Sequence, residues 1–145
     1  MSHEAVRHVN LECVADTFRP CQPYAVRWLD VEADYPLARD SWAFPISPED
    51  WRSFRDEGYQ YCAVVEDGRI VSIAAVWSYS DQAWELAAVA TLPEFRRRGY
   101  GKSVASFVTA AILSEGRRAT CLTAADNVAM QQTAQSVGFY VAPRR

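Results

Sequence analysis

One stretch, VATLPEFRRRGYGKS (residues 89–103), limits the fold more than any other. A β-prone run, AWELAAVATL, feeds into Arg96-x-x-Gly99-x-Gly101. The residues that follow, GKSVASFVTAAILSEG, put Val104, Phe107, Val108, Ala111 and Ile112 at i, i+3, i+4, i+7 and i+8. That spacing predicts a helix with one buried face. A strand, a glycine-bearing loop and a helix, in that order, aim the first unpaired N–H groups of the helix at one spot. Gly99 and Gly101 have no side chain to block an approaching ligand, and Arg96, Arg97 and Arg98 add positive charge. The expected product is an anion site of pyrophosphate size, made mainly of backbone.

The same stretch ends in Gly101-Lys102-Ser103, the tail of a nucleotide-binding P-loop. That loop needs Gly-x-x-x-x-Gly-Lys-Ser/Thr so that the backbone curls around a β-phosphate. The first glycine would fall at Arg96, whose side chain opposes the turn. A nucleotide-binding module is therefore a rival reading, as is a plain strand–helix turn with solvated arginines.

The flanking sequence supplies the rest of a sheet. YQYCAVV and RIVSIAAVWSYS are β-rich runs joined by Glu66-Asp67-Gly68, and Asp-Gly between apolar runs signals a hairpin. Ser80-Asp81-Gln82 turns the chain into AWELAAVATL, giving three consecutive antiparallel strands. After the helix, RRATCLTA reads as a strand and DNVAMQQTAQSVGF as a second helix, capped by Asp126 or Asn127 and ended at Gly138. The strand–helix–strand step implies one right-handed parallel crossover. Upstream, SPEDWRSFRDEG reads as a helix with Ser47 as cap, Pro48 in the first position and Gly58 as stop. The remaining N-terminal residues, rich in proline and aromatics, predict one or two helices with prolines at their ends and no more than one strand. The expectation is a single α/β (α+β) domain over 1–145, with an N-terminal, acceptor-side part of about 1–58 and a core of about 59–140.

Composition narrows the partners. The net charge of −3 argues against nucleic acid, whose backbone calls for a large cationic surface. No apolar run approaches the roughly 20 residues of a membrane helix, and the N-terminus shows no apolar signal segment. Cys13, Cys21, Cys62 and Cys121 are scattered, which suits free thiols and a cytoplasmic chain. His3, His8 and Cys13 fit no standard zinc spacing, and no metal is expected.

VATLPEFRRRGYG resembles motif A of the GNAT superfamily of N-acetyltransferases, and DNVAMQQTAQSVGF resembles its motif B, an Asn, a helix and then Gly-Phe. The resemblance covers about residues 59–140. It implies a mixed, mostly antiparallel sheet flanked by helices, with the parallel step at the cofactor site and acetyl-CoA as cosubstrate. It also implies that the strand before motif A splays from the next parallel strand, and that backbone at Val89, Ala90 and Thr91 pairs with the pantetheine arm. The amides from Arg97 through Tyr100 and Gly101 to Lys102 would hold the pyrophosphate, and Asn127 would bond the pantetheine, cap its helix, or both.

An alkylammonium has a pKa near 10.4, so about 1 in 2,500 is neutral at pH 7, and a general base is useful. The resemblance points to Glu85, eleven residues before Arg96, with Trp84 and Trp77 as the neighbours that would bury it. The alternative is a solvated strand-end glutamate. A backbone N–H near Val89 would serve the oxyanion. The family's motif-B tyrosine, which protonates the departing thiolate, is replaced here by Ala134, with Tyr140 and Ser136 out of register. That replacement keeps open a non-catalytic acyl-CoA sensor. Glu32, Asp34 and Asp40, with Trp28, Tyr35, Trp42, Tyr79 and Trp84, are candidates for an amine-acceptor pocket. Only six residues follow Phe139, so an open sheet edge covered by a second copy, a homodimer, is expected.

Overall fold

The computed structural model describes residues 7–41 and 47–143. Trp42, Phe44 and Pro45 lie outside the described residues, as does His3. The elements run β1 (His8–Cys13), β2 (Arg27–Trp28), α1 (Tyr35–Ser41), α2 (Pro48–Asp56), β3 (Tyr59–Glu66), β4 (Arg69–Trp77) and β5 (Ala83–Thr91). A 3-10 turn (Pro93–Phe95) leads to α3 (Tyr100–Ser114), β6 (Arg118–Ala124), α4 (Val128–Ser136) and β7 (Tyr140–Val141). The strands form a seven-stranded sheet in the order β2-β3-β4-β5-β6-β1-β7. Every pairing is antiparallel except β5 with β6.

Local chemistry explains most boundaries. Asp67 (φ 51°) and Gly68 (φ 78°) are consecutive left-handed residues closing β3 onto β4, as a two-residue hairpin of this hand requires. Ser47 Oγ accepts the Asp50 N–H at 3.1 Å, with Pro48 beginning α2 and Glu49 and Asp50 in its first turn. Asn127 caps α4 by accepting the Met130 N–H at 3.1 Å.

The N-terminal part holds two helices, within the expected range, and two strands, one more than expected. Its strand HVNLEC inserts between β6 and β7, with Leu11 opposite Cys121 and also opposite Val141. The alternation of Val9, Leu11 and Cys13 with His8, Asn10 and Glu12 turns the apolar set toward α3 and α4. The chain itself thus extends the sheet beyond β6, and the two-residue strands β2 and β7 are its edges.

The two faces of the sheet differ. Helices α3 and α4 cover one face completely, burying Val104, Val108, Ile112, Ala134 and Phe139 against Leu11, Cys62, Val64, Leu86 and Cys121. Helices α1 and α2 cover the other face only over β3 and β4, where Ala38 and Trp51 pack on Ala63 and Ile73. Across that second face, from the start of β3 and the end of β4, runs a row of residues linked by strand register: Tyr59, Trp77, Glu85, Thr120, Glu12 and Tyr140.

Gly138 is the tightest junction. Its φ is +107°, and a Cβ there would collide with the Thr17 carbonyl oxygen, with the carbonyl carbon 2.8 Å away and Phe18 Cα 2.9 Å away. All are backbone atoms of the segment after β1, so nothing soft can yield. Gly138→Ala combines overpacking with a left-handed alanine and is expected to cost about 3 kcal/mol or more, measured by denaturant unfolding. A loss under about 1 kcal/mol would show that the junction relaxes freely.

Candidate active site

The site begins where β5 and β6 part. Their parallel pairing spans only Ala83 with Arg118, Trp84 with Ala119 and Glu85 with Thr120. Beyond Glu85, β5 stays bonded to β4 and β6 stays bonded to β1. The cause is a bulge in β5. Ile73 opposes Ala90 while Ala75 opposes Ala87, so Ala88 and Val89 share the space across from Ala74. Ala88 sits at φ 56°, a region alanine disfavours. Bulges bend the strand and sharpen its twist, which carries the end of β5 away from β6.

The loop after β5 takes the shape the sequence predicted. Arg97 (φ 64°) and Gly99 (φ 93°) are left-handed, and Gly99 caps α3. Ser103 N–H is bonded to Gly99 O at 3.1 Å, so the amides of Tyr100, Gly101 and Lys102 precede the helix ladder and are its free positive end. The arginines are exposed; Arg96 Nε donates to Thr91 O at 3.2 Å, and Arg98 stacks over Phe95 at 5.7 Å.

Some residues play different parts from those the sequence suggested. The space beside Gly99 is occupied by Pro23, 3.1 Å from where a Cβ would lie, so this glycine serves packing and backbone hand. Tyr100 is buried and stacks on Tyr24 at 3.9 Å. Ser103 is buried; its hydroxyl accepts the Tyr24 N–H and donates to Gly99 O. A hydroxyl so engaged is a tether for the N-terminal segment, not the metal-facing serine a P-loop needs.

Glu85 is half-buried on the open face, in register with Trp77 on one side and Thr120 on the other. Trp84 points to the opposite face, where it packs near α3 under the Arg117 guanidinium at 4.2 Å. Burial lifts the Glu85 carboxyl above its ordinary range, and the Thr120 hydroxyl, 3.5 Å away, pulls it partly back. Tyr79 OH lies 2.9 Å from Thr120 Oγ1. Thr120 and the reach of Tyr79 toward it escape sequence reasoning, because they meet Glu85 only through the β5–β6 pairing. Tyr59 is lifted too, first by burial and then by the Glu85 charge.

Next to this row lies a cavity of about 440 Å³, lined by Trp51, Tyr59, Tyr61, Asp30 and Glu32 among others. Tyr59 stacks on Trp77 at 5.4 Å and Trp51 on Tyr61 at 5.1 Å. The acceptor residues named from sequence do not converge here as a set. Asp34 pairs with Arg27, Asp40 with Arg39 and Glu32 with Arg52. Trp28 turns to Phe107 on the α3 side. Ala134 is fully buried, Ser136 bonds Thr133 O, and Tyr140 is exposed on β7. Cys62 and Cys121 are free thiols pushed up to about 12 by burial, which leaves them unreactive. Among the described residues no three His, Cys, Asp or Glu side chains gather as metal ligands, and no helix is long and apolar enough to cross a membrane.

A mixed sheet with one parted parallel pair beside a free helix N-terminus is the architecture of the GNAT fold. A sequence model of the Acetyltransferase (GNAT) family matches residues 15–139, and the chain belongs to that family. Solved structures agree on the fold. A GNAT-family protein from Novosphingobium aromaticivorans DSM 12444 superposes with a TM-score of 0.69 at 23% identity, over 94% of this chain and 61% of that one. A GNAT-family acetyltransferase from Colwellia psychrerythraea gives 0.71 at 16%, over 95% and 53%. AAC(6')-Iy, in complex with the bisubstrate analogue CoA-S-monomethyl-acetylneamine, gives 0.64 at 19%, over 83% and 93%. The chain thus spans 61% and 53% of the length of the first two. No curated protein matches it.

The raised Glu85 carboxyl has a consequence for stability. A carboxyl whose native pKa exceeds its unfolded value binds more proton in the native state, so stability falls as pH rises from the unfolded value through the native one. Glu85→Gln removes that titration. The variant is expected to gain stability relative to the parent as pH rises above the ordinary carboxylate range, in urea unfolding at a series of pH values. Parallel profiles would mean that Glu85 is solvated.

Proposed function

We propose that the chain transfers an acetyl group from acetyl-CoA to a primary amine by direct attack in a ternary complex, with Glu85 as general base. The observation that carries this reading is the position of Glu85, the last paired residue before β5 and β6 separate. A carboxyl there stands at the mouth of the gap, next to where a thioester lying along β5 would end.

Each step falls to groups of this chain. The amides of Arg97 through Lys102 bind a pyrophosphate, helped by the charges of Arg96, Arg97 and Arg98 and by the helix end. The β5 edge turned away from β4 has lost β6 as its partner, and its backbone at Val89 and Thr91, with Ala90 between, offers strand-like hydrogen bonds to the pantetheine arm, which would displace Arg96 from Thr91 O. Asn127, already a helix cap through Oδ1, has its amide N–H groups left to donate. A β5 backbone N–H near Val89 stabilises the oxyanion. Acetyl-CoA supplies the activated acyl group. Glu85, with its carboxyl raised, takes the proton that keeps an alkylamine unreactive at neutral pH. The aromatic cavity beside Tyr59 opens onto the same row and suits the acceptor's body. The CoA-linked analogue bound to AAC(6')-Iy supports a coenzyme A ligand for this fold.

Ala134 favours a second reading, a binder of acyl-CoA without turnover, since no phenol stands at that position to protonate the thiolate. A thiol of pKa near 8.5 leaves passably without one, so the enzymatic reading is preferred.

Glu85→Gln is expected to lower kcat by about 10²–10⁴-fold while acetyl-CoA still raises the melting temperature of parent and variant alike. At 100 times its Kd a ligand adds about 2.7 kcal/mol of stability. Thiol release with a primary-amine panel gives the rate. Binding without thiol release in the parent would favour the sensor, and stabilisation by ATP in place of coenzyme A would favour the nucleotide module.

A further inference from the structure

We propose that Thr120 and Tyr79 form the path by which the proton taken up by Glu85 leaves the site. The inference rests on the acetyltransferase reading. Acetylating an ammonium ion releases one net proton: R–NH3+ and a thioester become an amide, a thiol and H+. The N–C bond forms and the C–S bond breaks. Of the two protons nitrogen loses, one ends on sulfur and one must reach solvent. An acceptor seated against Glu85 covers the side from which water would otherwise reach the carboxyl.

The chain of hydroxyls is continuous on the other side. Thr120 Oγ1 is 3.5 Å from Glu85 Oε1 and 2.9 Å from Tyr79 OH. Thr120 is buried, at 4% exposure, while Tyr79 is 42% exposed. The path therefore runs from a half-buried carboxyl through a buried hydroxyl to the phenol of an exposed tyrosine. Catalytic hydrogen bonds in a substrate-free site are often long and tighten on binding. The Glu85 proton passes to Thr120 Oγ1, the Thr120 proton to Tyr79 oxygen, and the Tyr79 proton to water. Each hydroxyl gives one proton and receives one, so neither ends charged.

The two residues are held for other reasons as well. Trp84 O, 3.4 Å from Thr120 Oγ1, is an alternative acceptor for the one threonine proton. The Tyr79 ring leans on Trp77 at 5.1 Å. Other titratable groups near Glu85 are Tyr59 from β3, Glu12 beyond Thr120 in the row, and Arg118 and Cys121 on either side of Thr120 along β6. Glu12 and Arg118 face each other at 3.6 Å. Tyr59 and Cys121 both stay neutral near pH 7, raised by burial and then by Glu85 itself. Tyr79 is the hydroxyl that joins this cluster to solvent through Thr120.

Thr120 and Tyr79 are positioning residues, and the test separates them from the base. Carboxyl ¹³C shifts of labelled protein report the Glu85 titration without any acceptor. Thr120→Val is expected to move it to higher pH, because the hydroxyl that favours the carboxylate is gone, and Thr120→Ser to move it back. With acetyl-CoA and butylamine or spermidine, Tyr79→Phe and Thr120→Val are each expected to lose about tenfold in kcat with KM for acetyl-CoA unchanged. Imidazole buffer should restore the rate of Tyr79→Phe, and Thr120→Ser should recover most of what Thr120→Val loses. Tyr79→Phe keeps its exposed ring, so folding is not at stake. Rates within twofold of the parent and independent of buffer would overturn the path. So would an unmoved Glu85 titration in Thr120→Val. Absence of turnover by the parent with every amine would instead overturn the acetyltransferase reading, and the path with it.

Discussion

The parting of two adjacent strands governs this molecule. β5 and β6 share only three residue pairs, and from Glu85 onward each keeps its other neighbour and loses the partner across the gap. Strand backbones rarely leave facing N–H and C=O groups unpaired inside a sheet. Here the separation is maintained by an extra residue, with Ala88 in a conformation alanine adopts at some cost. That local strain is spread over a strand otherwise bonded along its length to β4. The helix that follows starts with its unpaired amides just beyond the parted end of the same strand.

The chemistry then follows from strand alternation. Trp84 and Glu85 are neighbours in sequence and strangers in space: one packs near α3, the other faces the side where helices are sparse. Because register links Trp77, Glu85, Thr120 and Glu12 laterally, four strands deliver one side chain each to a single polar line. Partial coverage by α1 and α2 gives this line an aromatic wall on one side and leaves the other side open. Burial enough to raise a carboxyl, and exposure enough to reach water, coexist within one row.

The fold's second half was legible in sequence because its signals are local. Asp67-Gly68 fixes a hairpin, Ser47 and Asn127 fix helix starts, and the 3.6-residue pattern after Gly101 fixes α3. The strand–loop–helix turn around Gly99 was legible for the same reason. What escaped depends on contacts between distant segments. HVNLEC alternates cleanly, yet nothing within it says that it lies between β6 and β7. Ala88 looks like any strand alanine, though a glycine there would have announced the bulge. Thr120 meets Glu85 only through the brief parallel pairing, and Trp28 packs against Phe107 on the α3 side instead of joining the expected acceptor pocket. Ser103 belonged to a motif that suggested phosphate chemistry and instead secures Tyr24.

Strand β1 carries a consequence for how the chain comes to be folded. Leu11 finds its partner only when Cys121 has been made, and β7 in turn needs β1 as its template. Contacts this far apart in sequence raise contact order and slow the search. During synthesis β1 has no strand to pair with until residues 118–124 have emerged, and β7 has none until β1 is in place.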